Sequence, residues 1–160
     1  MRRARHLRFD IDLLARRIME VTEWLTRDPR TKSLRIGYFA SSTGAAAAMI
    51  AAAKHNDVVK TIVSRGGRLG LADSTGVLQS ITFPVLLIVG GNDDAQMIRM
   101  NKNALKQLSQ SEAKELAVIP YAGHLFEEPD KIDEVAKLAV NWFECYLVQN
   151  GRKFVNPYHK

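Results

Sequence analysis

Leu34-Arg35-Ile36-Gly37-Tyr38-Phe39-Ala40-Ser41-Ser42-Thr43-Gly44-Ala45-Ala46-Ala47-Ala48 is the stretch on which the fold of this chain turns. Leu34 to Ala40 carries the branched and aromatic side chains of a short strand. Ala45 to Lys54 is almost entirely alanine, the strongest helix former. Between them, Ser41-Ser42-Thr43-Gly44 suits a tight strand-to-helix turn. Such a turn needs small residues on either side of its apex, because the backbone packs closely there and adopts unusual dihedrals. Ala40 and Gly44 stand two positions before and after Ser42, which makes Ser42 the apex.

Upstream, Leu7, Ile11, Leu14, Ile18, Val21 and Leu25 recur at spacings of four and three with Arg16, Arg17 and Glu20 between them, which predicts an amphipathic helix over residues 7–26. Downstream, Val58 to Val63 and Glu115 to Ile119 read as strands. Pro84 to Val89 is a continuous apolar run of the kind buried on both faces of a sheet. Helices are expected over 45–54, over 95–109 and from Ile132 to Leu147, the last opened by Pro129 and closed by Gly151. Residues 68–83 are expected to be loop with one helical turn. Helix and strand alternate at crossover spacing, so the fold class is α/β, a mostly parallel sheet of about four strands with flanking helices. Residues 1–150 read as one domain and 151–160 as a frayed tail.

With 160 residues and 46% apolar content, the chain can build a core without covalent staples. A single cysteine, Cys145, forms no internal disulfide, which points to a reducing, cytoplasmic setting. The uncharged stretches 36–53 and 74–92 are long enough to test against a bilayer. Their glycines, serines, threonines and Pro84 make them buried elements rather than membrane spans. Residues 1–35 hold ten Lys/Arg against five Asp/Glu, so they carry +5 of the net +6. No glycine-aromatic binding motif accompanies this charge, so a solvated helix face explains it better than a nucleic-acid surface. Salt-sensitive binding through the arginines of residues 2–8 is the minor reading. No apolar run follows the basic start, and no export signal is expected.

Open parallel sheets present functional groups just beyond the carboxyl ends of their strands. Three such loops stand out: Ser41-Ser42-Thr43-Gly44, Gly90-Gly91-Asn92-Asp93-Asp94 and Pro120-Tyr121-Ala122-Gly123-His124. They supply a serine, an acid and a histidine in that order. A serine attacks well only when a base takes its proton, and a histidine is an effective base when an acid fixes its tautomer. Taken singly, each has an ordinary explanation. Ser42 or Thr43 would cap the alanine helix, Asp93 and Asp94 would favour a helix dipole, and His124 would be a surface residue. Together and in order, they favour a nucleophilic site. Arg65 offers a planar fork for a substrate carboxylate, although a turn arginine facing solvent is the more ordinary reading. Glu127 and Glu128 lack a second histidine at ligand spacing, so they read as acids preceding the last helix rather than a metal site. Cys145 reads as a core or surface thiol.

These three loops resemble the α/β-hydrolase superfamily. The run Gly37 to Ala47, with Ser64-Arg65-Gly66-Gly67 and His124-Leu125-Phe126-Glu127-Glu128-Pro129, is similar to the dienelactone-hydrolase-like group, some of whose members are fused to phosphoribosyltransferase domains. The resemblance runs from the first helix to about Leu147. It implies hydrolysis of small-molecule esters or lactones through an acyl-enzyme, without metal or organic cofactor. Ser42 would be the nucleophile, His124 the base and then acid, Asp93 (with Asp94 as alternative) the orienting acid, and the Thr43 backbone N–H an oxyanion donor. Named dienelactone hydrolases use a cysteine nucleophile, whereas Cys145 falls in the final helix. Two departures stand out: Ala40 replaces a common glycine, and the His-Gly loop that supplies the second oxyanion donor is missing, the first glycine here being Gly37. Losing one such donor costs about 100- to 1,000-fold in turnover. The family order also places strands before the elbow strand. The chain is therefore expected to be incomplete at its N-terminus, with Leu34–Ala40 an open sheet edge that a partner chain or second copy would cover. The competing reading is a non-catalytic half-domain that pairs with another chain.

Overall fold

A computed structural model describes Leu7 and residues 9–73, 76–148 and 151–158. Residues 1–6 and Arg8, which carry the arginines of the nucleic-acid reading, lie outside the described residues, as do Ser74 and Thr75. Four parallel strands, β1 (Ile36–Ser41), β2 (Val59–Arg65), β3 (Val85–Gly90) and β4 (Lys114–Ile119), lie side by side in sequence order. The connecting helices are α1 (Ile11–Arg27), α2 (Thr43–Lys54), the short α3 (Gly70–Asp73), α4 (Ala95–Gln107) and α5 (Lys131–Tyr146), with a 3-10 turn at Val77–Ser80. The expected α/β class and its four-stranded parallel sheet are those of the structure.

Side chains alternate across the sheet, as the two-residue period of a strand requires. Ile62, Val85 and Leu87 pack with the alanines of α2 and with α1 on one face, while Val63, Leu86 and Ile88 pack against α5 on the other. All six residues of β3 are buried, which accounts for its unbroken apolar run. Ala45 to Ala52 of α2 are all buried, and their small side chains let the helix sit tightly between α1 and the sheet. On the other face Trp142 is fully buried and donates from Nε1 to Thr61 Oγ1 at 2.7 Å, and Thr61 in turn donates to the Pro84 carbonyl at 2.9 Å. The buried indole N–H therefore has its partner.

Several boundaries differ from expectation for local reasons. The Asp10 carboxylate accepts the Leu13 N–H at 2.9 Å and starts α1 at Ile11, although the apolar period runs through Leu7. Helix α2 begins two residues early, at Thr43, because the turn before it is a single residue. Residues 68–83 hold two helical turns, since Leu69, Ala72, Leu78 and Ile81 are all buried in the α2-side core. Pro129 lies outside α5, whose N-cap is Asp130 in the left-handed region, and the helix ends at Tyr146, before Gly151.

The described part of the tail, residues 151–158, is docked rather than frayed. Phe154 stacks edge-on to Trp142 at 4.7 Å, Asn156 Nδ2 donates to the Leu116 carbonyl of β4 at 3.0 Å, and the Tyr158 hydroxyl donates to Glu134. Partial burial first, and then the Glu134 carboxylate, push the Tyr158 phenol up to about 12. A folded-state pKa raised in this way contributes stability that is whole below the ordinary tyrosine value and lost as pH rises towards 12. In a spectrophotometric tyrosinate titration the Tyr158→Phe variant should lack the step near 12 that the parent shows. The melting-temperature gap between the two should close at that pH.

Strand β1 pairs with β2 alone among the described residues, which leaves its other edge open. Phe39 on β1 is 52% exposed and Leu34 just before it 63%. No helix among the described residues is long and apolar enough to cross a membrane.

Candidate active site

Ser42 joins β1 to α2 with φ 50° and ψ −125°, a conformation that is costly for a residue with a side chain and persists only where the surroundings enforce it. They do so through three backbone hydrogen bonds. The Ser42 N–H donates to the Arg65 carbonyl at 3.1 Å, and the Ser42 carbonyl accepts from Ala45 at 3.2 Å and Arg68 at 3.0 Å. Ser42 occupies the N-cap position, yet its side chain caps nothing. The hydroxyl lies 3.4 Å from His124 Nε2 instead. Thr43 is buried, and its backbone N–H, the first of α2, has no acceptor among the described residues.

The expected need for a small residue at Gly44 is not met, since a Cβ there would touch nothing within 4 Å. Close packing behind the elbow falls on Gly67, where a Cβ would stand 2.3 Å from Ser64 Oγ and 3.1 Å from Ala45 Cβ.

Beyond β3, the two adjacent acids take different tasks. Asp93 Oδ2 lies 2.9 Å from His124 Nδ1 and Oδ1 accepts the Asp94 N–H at 2.7 Å, with the Asp93 side chain 4% exposed and that of His124 30%. Asp94 caps α4 by accepting the Gln96 N–H at 2.7 Å, while the ion pair to the histidine is made by Asp93. A carboxylate at Nδ1 favours the proton on that nitrogen and leaves the Nε2 lone pair facing Ser42 Oγ. Hydroxyl, imidazole and carboxylate thus stand in one line at the carboxyl ends of β1, β3 and β4.

The histidine loop is stitched to its neighbours. The Asn92 N–H donates to the Ala122 carbonyl at 2.9 Å, and Phe126 is buried. Gly66 has φ +54°, and a Cβ there would press on the imidazole at 3.2 Å from Cε1. At Gly90 a Cβ would stand 2.2 Å from the Ala122 oxygen. The glycine pairs at the carboxyl ends of β2 and β3, Gly66-Gly67 and Gly90-Gly91, are the sequence signal for this close approach, but their neighbours become visible only in three dimensions.

Arg65 is the last residue of β2, half-buried rather than a turn residue facing solvent. Its guanidinium lies 5.8 Å from the Phe126 ring centroid, and its buried Nε has no hydrogen-bond partner among the described residues. Glu128, expected to serve the last helix, instead accepts the Gly123 N–H at 2.9 Å. Cys145 lies in α5, where partial burial pushes its thiol up. A cavity of about 700 Å³ runs along β4 by Leu105, Leu116 and Tyr158, and one of about 360 Å³ lies by Arg35 and Cys145. Neither is lined by Ser42, Asp93 or His124.

No protein-family model matches the chain. It is 49% identical over 144 residues to a Mycobacterium tuberculosis protein provisionally named a phosphoribosyl transferase, a match that covers 89% of this chain and 31% of that one. Among solved structures, a dienelactone hydrolase from Anabaena variabilis is 52% identical with a TM-score of 0.84, over 91% of this chain and 65% of that one. The chain thus spans less than two thirds of either relative. Est1E from Butyrivibrio proteoclasticus shares the fold at 15% identity and a TM-score of 0.68, over 84% of this chain and 71% of that one. A monoacylglycerol lipase from Paleococcus ferrophilus does so at 14% and 0.68, over 82% and 74%. On its four-stranded parallel sheet, its elbow and these neighbours, the chain belongs to the α/β-hydrolase superfamily.

Proposed function

We propose that this chain carries the site of a serine hydrolase acting on carboxylic esters or lactones in the cytoplasm. The observation that carries the proposal is the orientation of Ser42: its hydroxyl turns away from the helix it could cap and towards His124 Nε2, with Asp93 on the far side of the ring. In the reaction, Nε2 takes the hydroxyl proton as Oγ bonds to the substrate carbonyl carbon. Asp93 holds Nδ1–H and stabilises the imidazolium, and the Thr43 N–H donates to the developing oxyanion. The imidazolium returns its proton to the leaving alkoxide, which for a lactone stays tethered to the acyl group. Water then attacks the acyl carbon as Nε2 takes one of its protons, and the imidazolium passes that proton to the departing Ser42 Oγ, which frees the carboxylic acid and restores the site. The half-buried Arg65 guanidinium beside Phe126 would offer its planar fork to a carboxylate on the substrate. The 3.4 Å separation of Ser42 and His124 is long for a hydrogen bond, as is common before substrate draws such groups together. The similarity to a dienelactone hydrolase supports hydrolysis, whereas the transferase name belongs to a chain of which this one spans less than a third.

A fluorophosphonate needs an activated serine but no knowledge of substrate. One adduct by intact mass, absent from Ser42→Ala, is the expected result. A second reading is favoured by the open β1 edge, with Phe39 and Leu34 exposed beside it, and by the third of the Anabaena chain that this one does not span. In that reading the chain is a half-domain whose site is completed when another strand, from a partner or a second copy, pairs with β1. A folded, monodisperse chain that takes no probe would decide for it.

A further inference from the structure

We infer that Glu128 is a positioning residue for His124, an inference that rests on the hydrolase reading of Ser42. Glu127 and Glu128 stand where acids ordinarily serve the positive end of a following helix. The Glu128 side chain does otherwise. Its Oε1 accepts the backbone N–H of Gly123, the residue immediately before His124, at 2.9 Å. Its backbone carbonyl meanwhile accepts the Lys131 N–H at 3.1 Å, at the start of α5. The residue therefore ties the histidine loop to a packed helix. The fit is close, since a Cβ on Gly123 would stand 3.0 Å from the same oxygen.

Two further observations distinguish this contact from an ordinary loop bond. Glu128 Oε2 is buried with no hydrogen-bond partner among the described residues, a costly arrangement for a carboxylate. Apolar packing would stabilise the loop at lower cost, so the arrangement serves position rather than stability. The loop itself is held in tension, with Tyr121 at φ 62° and Phe126 at φ 58° on either side of His124. Left-handed residues with side chains persist only where surrounding contacts over-determine them. The Asn92 bond to Ala122 and the burial of Phe126 fix the flanks, and the Glu128 bond fixes the peptide adjoining the histidine. With Nε2 already 3.4 Å from Ser42 Oγ, little displacement can be absorbed, because an error of about 1 Å costs on the order of 100-fold.

The test measures the limiting rate and half-saturating concentration of fluorophosphonate labelling for the parent, Glu128→Ala, Glu128→Gln and Glu128→Asp. Imidazole nitrogen NMR of His124, assigned with His124→Gln, accompanies it. Glu128→Ala should lower the limiting rate by about 10- to 100-fold with the half-saturating concentration unchanged, and should blur the Nδ1–H tautomer held by Asp93. Glu128→Gln, whose amide oxygen can still accept the Gly123 N–H, should recover most of the loss, which a role for the charge alone would not allow. Should the alanine variant fail to fold, Glu128→Asp withdraws the oxygen by one methylene and carries the same comparison. An unchanged rate and ring spectrum in Glu128→Ala, or glutamine as damaging as alanine, would overturn the inference. If the parent takes no probe, the hydrolase reading fails by itself, while the ring spectra still decide whether Glu128 holds His124.

Discussion

Asp93→Asn should slow phosphonylation of Ser42 by a fluorophosphonate by about 10,000-fold while leaving the fold in place. The carboxylate is nearly inaccessible and makes two bonds, accepting the Asp94 N–H through Oδ1 and facing His124 Nδ1 through Oδ2. An asparagine keeps the first, because its amide oxygen still accepts. At the second it presents an NH2 donor, which favours the tautomer with the proton on Nε2. That nitrogen then points a hydrogen at Ser42 and cannot take one. The loss expected for a wrong tautomer in such a site is about four powers of ten, or about 5 kcal/mol of barrier. Asp94→Asn is the control, since Asp94 caps α4 and asparagine caps as well as aspartate. Time-resolved intact mass separates the two variants. Equal rates for parent and Asp93→Asn, or a loss that follows Asp94 instead, would remove Asp93 from its proposed role.

That pair of neighbouring acids marks the boundary of what the sequence discloses. Strand cores are legible because burial on both faces leaves an unbroken apolar run, as in Val85 to Val89, and because each run ends in a turn signal. Loops at three strand ends then bring serine, acid and histidine to one edge of the sheet by topology alone. Sequence does not say which of Asp93 and Asp94 turns inward, since both suit a helix N-terminus. Nor does it disclose Glu128, whose partner lies five residues back across a strained turn. The docked tail was equally hidden. Asn156 and Tyr158 look like solvent-facing residues until β4 offers a free carbonyl and α5 offers Glu134.

The open edge has a bearing on the site as well as on assembly. Ser42 follows the last residue of the edge strand, so the space beside its hydroxyl is bounded by α2 and the His124 loop on one side. On the other side the sheet offers no further strand among the described residues. The proposed mechanism assigns one oxyanion donor to that space, the Thr43 backbone N–H. The open space around Gly44 belongs to the same pattern: an elbow in the middle of a sheet is crowded, whereas this one lies at the margin of the described sheet.

Gly90→Ala should combine a large loss of stability with loss of labelling, through a collision that neither partner can avoid. The Cβ would stand 2.2 Å from the Ala122 oxygen, 2.8 Å from its carbonyl carbon and 2.6 Å from the Gly123 oxygen. These are backbone atoms, so no rotamer change relieves the contact. Gly90 is fixed in register opposite Ile119 by the β3–β4 ladder, and the Ala122 carbonyl is fixed by the Asn92 N–H. Either the end of the ladder opens or the histidine loop moves out by about 1 Å, a displacement that alone costs on the order of 100-fold in rate. Overpacking of this kind costs about 3 kcal/mol, which for a chain of this size lowers the melting temperature by about 6–12 °C. Gly44→Ala provides the contrast, for its Cβ enters open space near the start of α2, where alanine is the better helix former, and its melting temperature should equal or exceed the parent's. Thermal melts of both variants check the pair. A Gly90→Ala protein that melts and labels like the parent would show that the His124 loop is not seated on β3.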